Sequence, residues 1–366
     1  MNKMILTAGP SITQREIDYV TDAVTNGVDE HWGDYIKRFE RAFADYIGVK
    51  HALTTSSCTG AMHMALVALG IGSGDEVIVP DMSWIATASA VCYTGAKPVF
   101  ADVLPYTWCI DPLSVKHRIT EHTKAIIPVH LYGHPADMLS ITNIAEEYGL
   151  FVVEDAAPSV GATYYGKHTG GIGKVGCFSF QGAKILATGE GGMLVTNDTP
   201  LFEKIKHYSE HGRSGSGFDI SDIGFKYKMS NLQAALGLAQ LERIDELVMK
   251  KRLIYACYKE HLGGIEGIRL NEVASEHIEP IYWMTSIVLE QEFRVCRDVF
   301  MAKLKERNID TRPFFPPISS FKMFHDADNF TAKFLGANGI NLPSGHRITW
   351  NEIEYVCDCI KDILKV

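Results

Sequence analysis

Short apolar runs recur along the first half of the chain, separated by stretches with helical spacing. The runs are EVIVP (76–80), PVFAD (98–102), KAIIPV (124–129), LFVVED (150–155), CFSF (177–180) and GMLVT (192–196). Between several of them lie helix-like segments such as GAMHMALVAL (60–69) and LSITNIAEEYG (139–149). Such alternation predicts an α/β domain with a mainly parallel sheet. Near-continuous apolar strands further predict a sheet covered on both faces.

From residue 230 to about 262 the pattern SNLQAALGLAQLERIDELVMKKRLIYACYKEHL is long and helical, and reads as the connection between two domains. Beyond it come a strand-like IYWMTSIVL (281–289), an amphipathic VFMAKLKERN (299–308) and a terminal helix from about Asn351. This portion reads as a smaller α+β domain. The expected division is a large domain over 1–245 and a small one over 246–366. We find no internal repeat and no low-complexity segment.

Composition narrows the class of function. A length of 366 residues suits roughly two domains, and 46% hydrophobic with 22% charged residues is ordinary for a globular protein. The net charge of −9 is spread along the chain, which argues against nucleic acid or an anionic membrane as main partner. A phosphorylated small molecule is still compatible, because a basic pocket can sit on an acidic protein. The opening MNKMILTAGPSIT has too short an apolar core for a signal peptide, and no later run is long enough to span a bilayer. The eight cysteines, at 58, 92, 109, 177, 257, 296, 357 and 359, form no CxxC pair. They read as reduced thiols of a cytoplasmic protein, with neither a disulfide framework nor a metal site.

Two motifs invite chemistry and do not carry it. GIGKVG (171–176) matches G-x-G-x-x-G, but its glycines precede the strand CFSF and open no helix, so a turn between strands is expected. An oxidoreductase reading would rest on those misplaced glycines alone. His130 and His134 in HLYGH have the spacing of a zinc helix, but Leu131 stands where the catalytic glutamate would be, and Gly133 and Pro135 break the helix.

A second set of residues is coherent. LFVVED ends in two carboxylates at the carboxyl edge of a strand, where open α/β sheets place ligands. Strand alternation puts Asp155 on the face of Val153 and Glu154 on the face of Val152. A carboxylate there suits a protonated ring nitrogen, or equally a helix cap. SSCTGAMHMAL (56–66) sets small hydroxylated residues before a helix, which is an anion site or an ordinary capped helix. Ser179 lies five residues before Lys184 and can add a hydroxyl to the same anion, and Trp84 in PDMSWIAT can cover a flat ring. Lys184 itself sits among FSF, Gly182, Ala183 and Ile185. Apolar surroundings lower the pKa of an amine and make it a nucleophile toward an aldehyde. Anion site, ring-nitrogen acid, ring-covering aromatic and Schiff-base lysine together describe a pyridoxal phosphate pocket.

Across nearly its whole length the chain resembles the DegT/DnrJ-type pyridoxal-phosphate aminotransferases that act on nucleotide-linked keto sugars. The segments that carry the resemblance are ALGIGSGDEVIVP, AIIPVHLYGHPADM, VVEDAAPSVGA, FSFQGAKILATGEGGMLVTND, GFKYKMSNLQAALGLAQLERID and GINLPSG. TRPFFPP (311–317) and YWM (282–284) are most similar to the perosamine-synthase branch. The resemblance implies a fold-type-I α/β aminotransferase, with a seven-stranded type of sheet, acting as a homodimer. It implies transfer of an amino group from L-glutamate to C4 of a GDP-linked 4-keto-6-deoxyhexose, in making cell-surface polysaccharide such as O-antigen.

Site roles follow by matching position. The resemblance makes Lys184 the catalytic amine, Asp155 the partner of the pyridinium nitrogen and Trp84 the ring cover, with Cys58, Thr59, Gly60 and Ser179 around the phosphate. Pro158 and Lys226 complete the cofactor set, and His31, Trp32, Glu190, Arg312 and Phe314 form the substrate set. The segment GFKYKMSN commonly reaches the neighbouring subunit's phosphate. Three departures from the family pattern bear on the site. Pro158 replaces a residue that can donate to the cofactor's ring hydroxyl, Lys226 replaces an asparagine, and DEHWG (29–33) replaces a serine-rich signature. Relatives that dehydrate keto sugars carry histidine in place of the lysine, so Lys184 favours transamination. A different keto substrate, a dehydratase and a non-catalytic cofactor-binding protein are the alternatives. Nucleotide base, sugar configuration and aminated position are not fixed by these residues, and Arg312 suits a diphosphate, a carboxylate or a plain ion pair.

Overall fold

A computed structural model describes residues 3–214, 218–271, 273, 275–290 and 295–366. Seven strands form the principal sheet: β1 (His51–Thr55), β2 (Glu76–Pro80), β3 (Lys97–Ala101), β4 (Thr123–Ile126), β5 (Phe151–Asp155), β6 (Val175–Ser179) and β7 (Gly192–Thr196). Their order across the sheet is β1-β7-β6-β5-β4-β2-β3. Only β7 runs against the rest, pairing antiparallel with both β1 and β6. The six apolar runs read from the sequence all fall on this sheet. The strand HALTT (β1) escaped that reading because threonine and histidine dilute its apolar signal.

Alternation along the strands feeds two separate cores. Val77, Val79, Val153, Cys177 and Leu194 join one cluster with the helices Cys58–Ala68, Ala86–Tyr93 and Thr199–Ser209. Ile78, Val152, Phe178, Met193 and Val195 join the other, beneath the helices Asp34–Ile47, Met138–Tyr148 and Asn231–Leu241. A sheet buried on both faces has no room for polar alternation, which is why its strands read as solid apolar runs.

The second unit is built on an antiparallel sheet of β8 (Ile268–Leu270), β9 (Ser286–Leu289), β10 (Arg312–Pro313) and β11 (Gly339–Asn341), in the order β8-β9-β11-β10. Its own core packs Tyr258, Ile287, Phe300, Ile340, Val356 and Ile360. Of the strand expected over 281–289 only Ser286–Leu289 forms; before it, the Ile281 N–H bonds to the Gly133 carbonyl and the Thr285 carbonyl accepts from the Leu342 N–H.

The long helix expected over 230–262 is two helices, Asn231–Leu241 and Ile244–Leu262. Arg243 leaves helical geometry between them, at φ −116° and ψ 11°. Its guanidinium turns inward to the buried Glu16 at 2.6 Å and to Ser11 at 3.0 Å. A charge-assisted bond to a buried carboxylate outweighs the few intrahelical bonds lost at the break. Among the described residues no helix is long and apolar enough to cross a membrane.

Candidate active site

β1, β2, β5 and β6 all end at the same edge of the sheet, as the parallel geometry of the sheet requires. The chain leaving each end contributes to one cavity of about 740 Å³. β1 delivers Ser57, Cys58 and Thr59; β2 delivers Ser83, Trp84 and Thr87; β5 delivers Asp155 and Pro158; and β6 delivers Ser179 and Lys184. The smaller sheet closes the opposite side with Trp283, Arg312, Phe315 and Asn341.

Ser57 caps the helix Cys58–Ala68, its hydroxyl accepting from the Gly60 N–H at 3.1 Å. The start of that helix therefore faces the cavity with the Thr59 hydroxyl beside it and Ser179 across from it. Positive dipole and free hydroxyls at a helix start are the parts of an anion cradle. Gly192 makes the arrangement possible, because a Cβ there would stand 2.6 Å from the Cys58 nitrogen.

The two carboxylates at the end of β5 separate as alternation requires. Glu154 is fully buried and accepts from the N–H groups of Gly170 at 2.7 Å, Ile172 at 2.7 Å and Gly173 at 2.5 Å, with His130 Nε2 at 3.0 Å. The GIGKVG loop is thus a turn clamped on Glu154, as its position before β6 suggested. His134 contacts the Pro135 carbonyl through Nδ1 at 2.7 Å, and neither histidine lines the cavity.

Asp155 faces the cavity. Its Oδ2 accepts from the Thr87 hydroxyl at 2.7 Å, and its Oδ1 accepts from the Ala157 N–H at 3.1 Å. Burial raises its pKa; those two hydrogen bonds and the positive charge of Lys184 oppose the rise. Such a carboxylate is stabilised by a cation placed against it.

Lys184 lies in the loop between β6 and β7, with its N–H bonded to the Gln181 carbonyl at 2.8 Å. Burial pulls its ammonium down from 10.5 to about 8, against the opposing charges of Asp155 and Cys58. Part of the side chain remains open to the cavity, so the amine is both partly desolvated and reachable. Its Nζ stands 3.8 Å from the centroid of the Trp283 ring.

The cavity brings together Cys58, Thr59, Trp84, Asp155, Pro158, Ser179, Lys184, Glu190 and Arg312 of the residues named from sequence. Five others are not among its lining. Gly60 is the third residue of the helix, buried under Tyr227, whose ring would stand 2.9 Å from any Cβ added there. Lys226 lies in the segment whose Tyr227 carbonyl accepts from the Ser56 N–H, outside the cavity lining. His31 pairs with Asp34 at 2.9 Å, and Trp32 is exposed beside it. Phe314 is a correction: it is buried in the core, packed edge-on against Trp108 at 4.9 Å, and Phe315 takes the place at the cavity. Sequence reasoning also missed Thr87, Trp283 and Asn341. Thr87 had a readable signal, since it stands one helical turn after Trp84.

The cavity fits pyridoxal phosphate on its own chemistry: an anion cradle, a buried carboxylate needing a cation, an exposed indole and a depressed lysine. Residues 10–361 match the DegT/DnrJ/EryC1/StrS aminotransferase family. The chain belongs to that family. It is a pyridoxal-phosphate-dependent transaminase. It is 39% identical to the GDP-perosamine synthase of Escherichia coli O157:H7, covering 98% of each chain. It is 40% identical to the GDP-perosamine synthase of Caulobacter vibrioides, again over 98% of each. A Streptococcus pneumoniae chain described as a sugar aminotransferase and solved in its PLP form superposes with a TM-score of 0.92 at 27% identity, covering 99% of both chains.

Proposed function

We propose that this transaminase moves the amino group of L-glutamate to the keto carbon of a nucleotide-linked 4-keto-6-deoxyhexose, with GDP as the nucleotide. The product would serve cell-surface polysaccharide such as O-antigen, made in the cytoplasm. The observation that carries the reading is the placement of Lys184 and Asp155 in one cavity, in a chain so similar to two GDP-perosamine synthases.

Bound pyridoxal phosphate supplies an electron sink that lets the carbon bearing the amino group release its proton. The protein does the rest. The start of the helix Cys58–Ala68, with Thr59 and Ser179, would hold the phosphate. Asp155 would keep a proton on the ring nitrogen, with Thr87 and the Ala157 N–H fixing the angle of that carboxylate. The Trp84 indole would shield the ring from water. Lys184, neutral in part near pH 8, takes the proton from the donor carbon and returns it on the acceptor's side. Arg312 binds an anionic part of either substrate, the α-carboxylate or the diphosphate, beside Glu190.

The active unit is a homodimer in this reading. Lys226 lies outside the cavity of its own chain, and Phe218 and Ile223, a few residues before it, are exposed apolar side chains. In that dimer His31 and Trp32, which are outside the cavity of their own chain, have their substrate role in the neighbour's cavity.

The test is direct. Purified protein with pyridoxal phosphate, glutamate and a GDP-linked 4-keto-6-deoxyhexose should release 2-oxoglutarate and yield a GDP-amino sugar by mass spectrometry. Release of 2-oxoglutarate only with dTDP- or UDP-linked ketones would remove the GDP assignment and keep the transaminase.

A further inference from the structure

Trp283 is held from three sides. Its Nε1–H donates to the Ala183 carbonyl at 2.7 Å, so the indole is tied to the residue before Lys184. Its own carbonyl accepts from the Nζ of Lys251 at 2.9 Å, and that fully buried lysine also donates to the Ser344 carbonyl. Its ring runs roughly parallel to Tyr132, 27° between planes at 6.4 Å. The indole is only 7% exposed, and the face it leaves toward the cavity is the one over which Lys184 Nζ stands, 3.8 Å from the centroid. This is cation–π distance.

We propose that Trp283 is a positioning residue for Lys184: its indole face holds the amine in its protonated, unattached state and fixes the side from which it enters the cavity. The proposal rests on the reading of Lys184 as the catalytic amine. A free lysine has four rotatable bonds, and a proton shuttle requires Nζ at one place. The tie from Nε1 to Ala183 makes ring and lysine backbone move as one. The link through Lys251 joins that pair to the Ser344 loop of the second unit. Two acidic groups act on the same amine, Asp155 and Cys58. They belong to β5 and to the helix Cys58–Ala68, and do not change when the ring is altered.

Fluorinated tryptophans placed at position 283 provide the test, because fluorine weakens the negative face of the ring while keeping its volume and its N–H. The full chain, freed of cofactor, is treated with an amine-selective acetylating reagent across pH 6 to 10, and modification of Lys184 is read by peptide mass spectrometry. The ring stabilises the ammonium, so the midpoint for Lys184 should fall stepwise with one, two and three fluorines, by roughly half to one pH unit in all. Trp283→Phe, with a weaker but still aromatic face, should lie within that range, and its kcat should fall with KM little changed. Coincident midpoints across the fluorinated series would overturn the proposal, as would an unaltered kcat in the Phe variant. Failure of the underlying reading looks different: Lys184→Ala would then retain turnover while the midpoints still shifted with fluorine.

Discussion

The Thr87 hydroxyl donates to Asp155 across 2.7 Å, joining the helix after β2 to the end of β5. Without that donor, the buried carboxylate would keep the Ala157 N–H and the weak Cys58 thiol donor, and lean further toward its neutral form, which cannot hold a ring-nitrogen proton. A hydrogen bond to a charged group is worth about 1.5–3 kcal/mol. Thr87→Val should therefore weaken pyridoxal phosphate binding by about tenfold or somewhat more. Absorbance titration of the cofactor measures it, and unchanged affinity would show that Thr87 does not support Asp155.

Glu154, one residue earlier, has a different job. It accepts from three backbone N–H groups on the 170–173 loop and meets His130, all away from solvent. Glu154→Gln turns part of an acceptor-only group into a donor facing donors. Unmet buried groups cost about 1–3 kcal/mol each, so the variant should lose about 3 kcal/mol of unfolding free energy in urea. Where it folds, its cofactor spectrum should match wild type. A specific loss of the cofactor band at unchanged stability would contradict this division of labour between adjacent carboxylates.

That division was legible in LFVVED, because period-two alternation must send neighbouring carboxylates to opposite faces. The parallel sheet and the cavity at its carboxyl edge were legible for the same kind of reason: buried strands and their exits leave unmistakable patterns. The second sheet's contribution was not. Trp283 lies on the segment before β9, which has no period of its own, and its role depends on contacts with Ala183 and Lys184, 99 to 100 residues earlier in the chain. The break at Arg243 was equally hidden, since its partner Glu16 lies 227 residues away.

Two buried lysines should make stability rise with pH from about 7 to about 9, above which the buried thiols of Cys58 and Cys177, whose pKa values burial raises, act the other way. Burial pulls Lys251 from 10.5 to about 7 and Lys184 to about 8. In the unfolded chain both keep their protons until near 10.5. Between those values the unfolded state binds more protons, so unfolding becomes less favourable as pH climbs, by up to about 1.4 kcal/mol per pH unit for each group. Lys251→Met removes one of them. Its Tm will be lower overall, because two carbonyls lose their donor, but it should climb less steeply than wild type between pH 7.5 and 9. Parallel Tm curves for the two proteins would refute the assignment.

Arg312 is two-thirds exposed at the cavity, its guanidinium 3.5 Å from Asp310. An exposed pair of this length contributes little to stability, which leaves the guanidinium available for an incoming anion. Arg312→Met should leave Tm and cofactor spectrum unchanged and lower kcat/KM for one substrate by roughly 10- to 100-fold, the value of a lost charge-assisted bond. Arg312→Lys should recover only part, since the planar fork is gone. Separate half-reactions, glutamate alone and keto sugar alone, will show which anion it meets. Unaltered kinetics in both would return Arg312 to an ordinary surface role.

The two phenylalanines of TRPFFPP give the last test, because the resemblance names Phe314 and the structure places Phe315 at the cavity. If the strand continued, Arg312 and Phe314 would share a face, and Phe314 would enter the cavity. β10 ends at Pro313, whose partner across the ladder is Ile340, and the chain then turns. Phe314 drops into the core against Trp108 and Tyr132, and the Gly339 backbone lies so close that any Cβ there would meet its ring at 2.2 Å. Phe315 is left at the cavity beside Trp84, their centroids 5.8 Å apart. Phe314→Ala should therefore destabilise the fold by about 3–5 kcal/mol. Phe315→Ala should cost little stability and instead raise KM or shift the cofactor band. Denaturation and steady-state kinetics on the same pair decide it, and a reversal of the two phenotypes would mean that the strand does continue past Pro313.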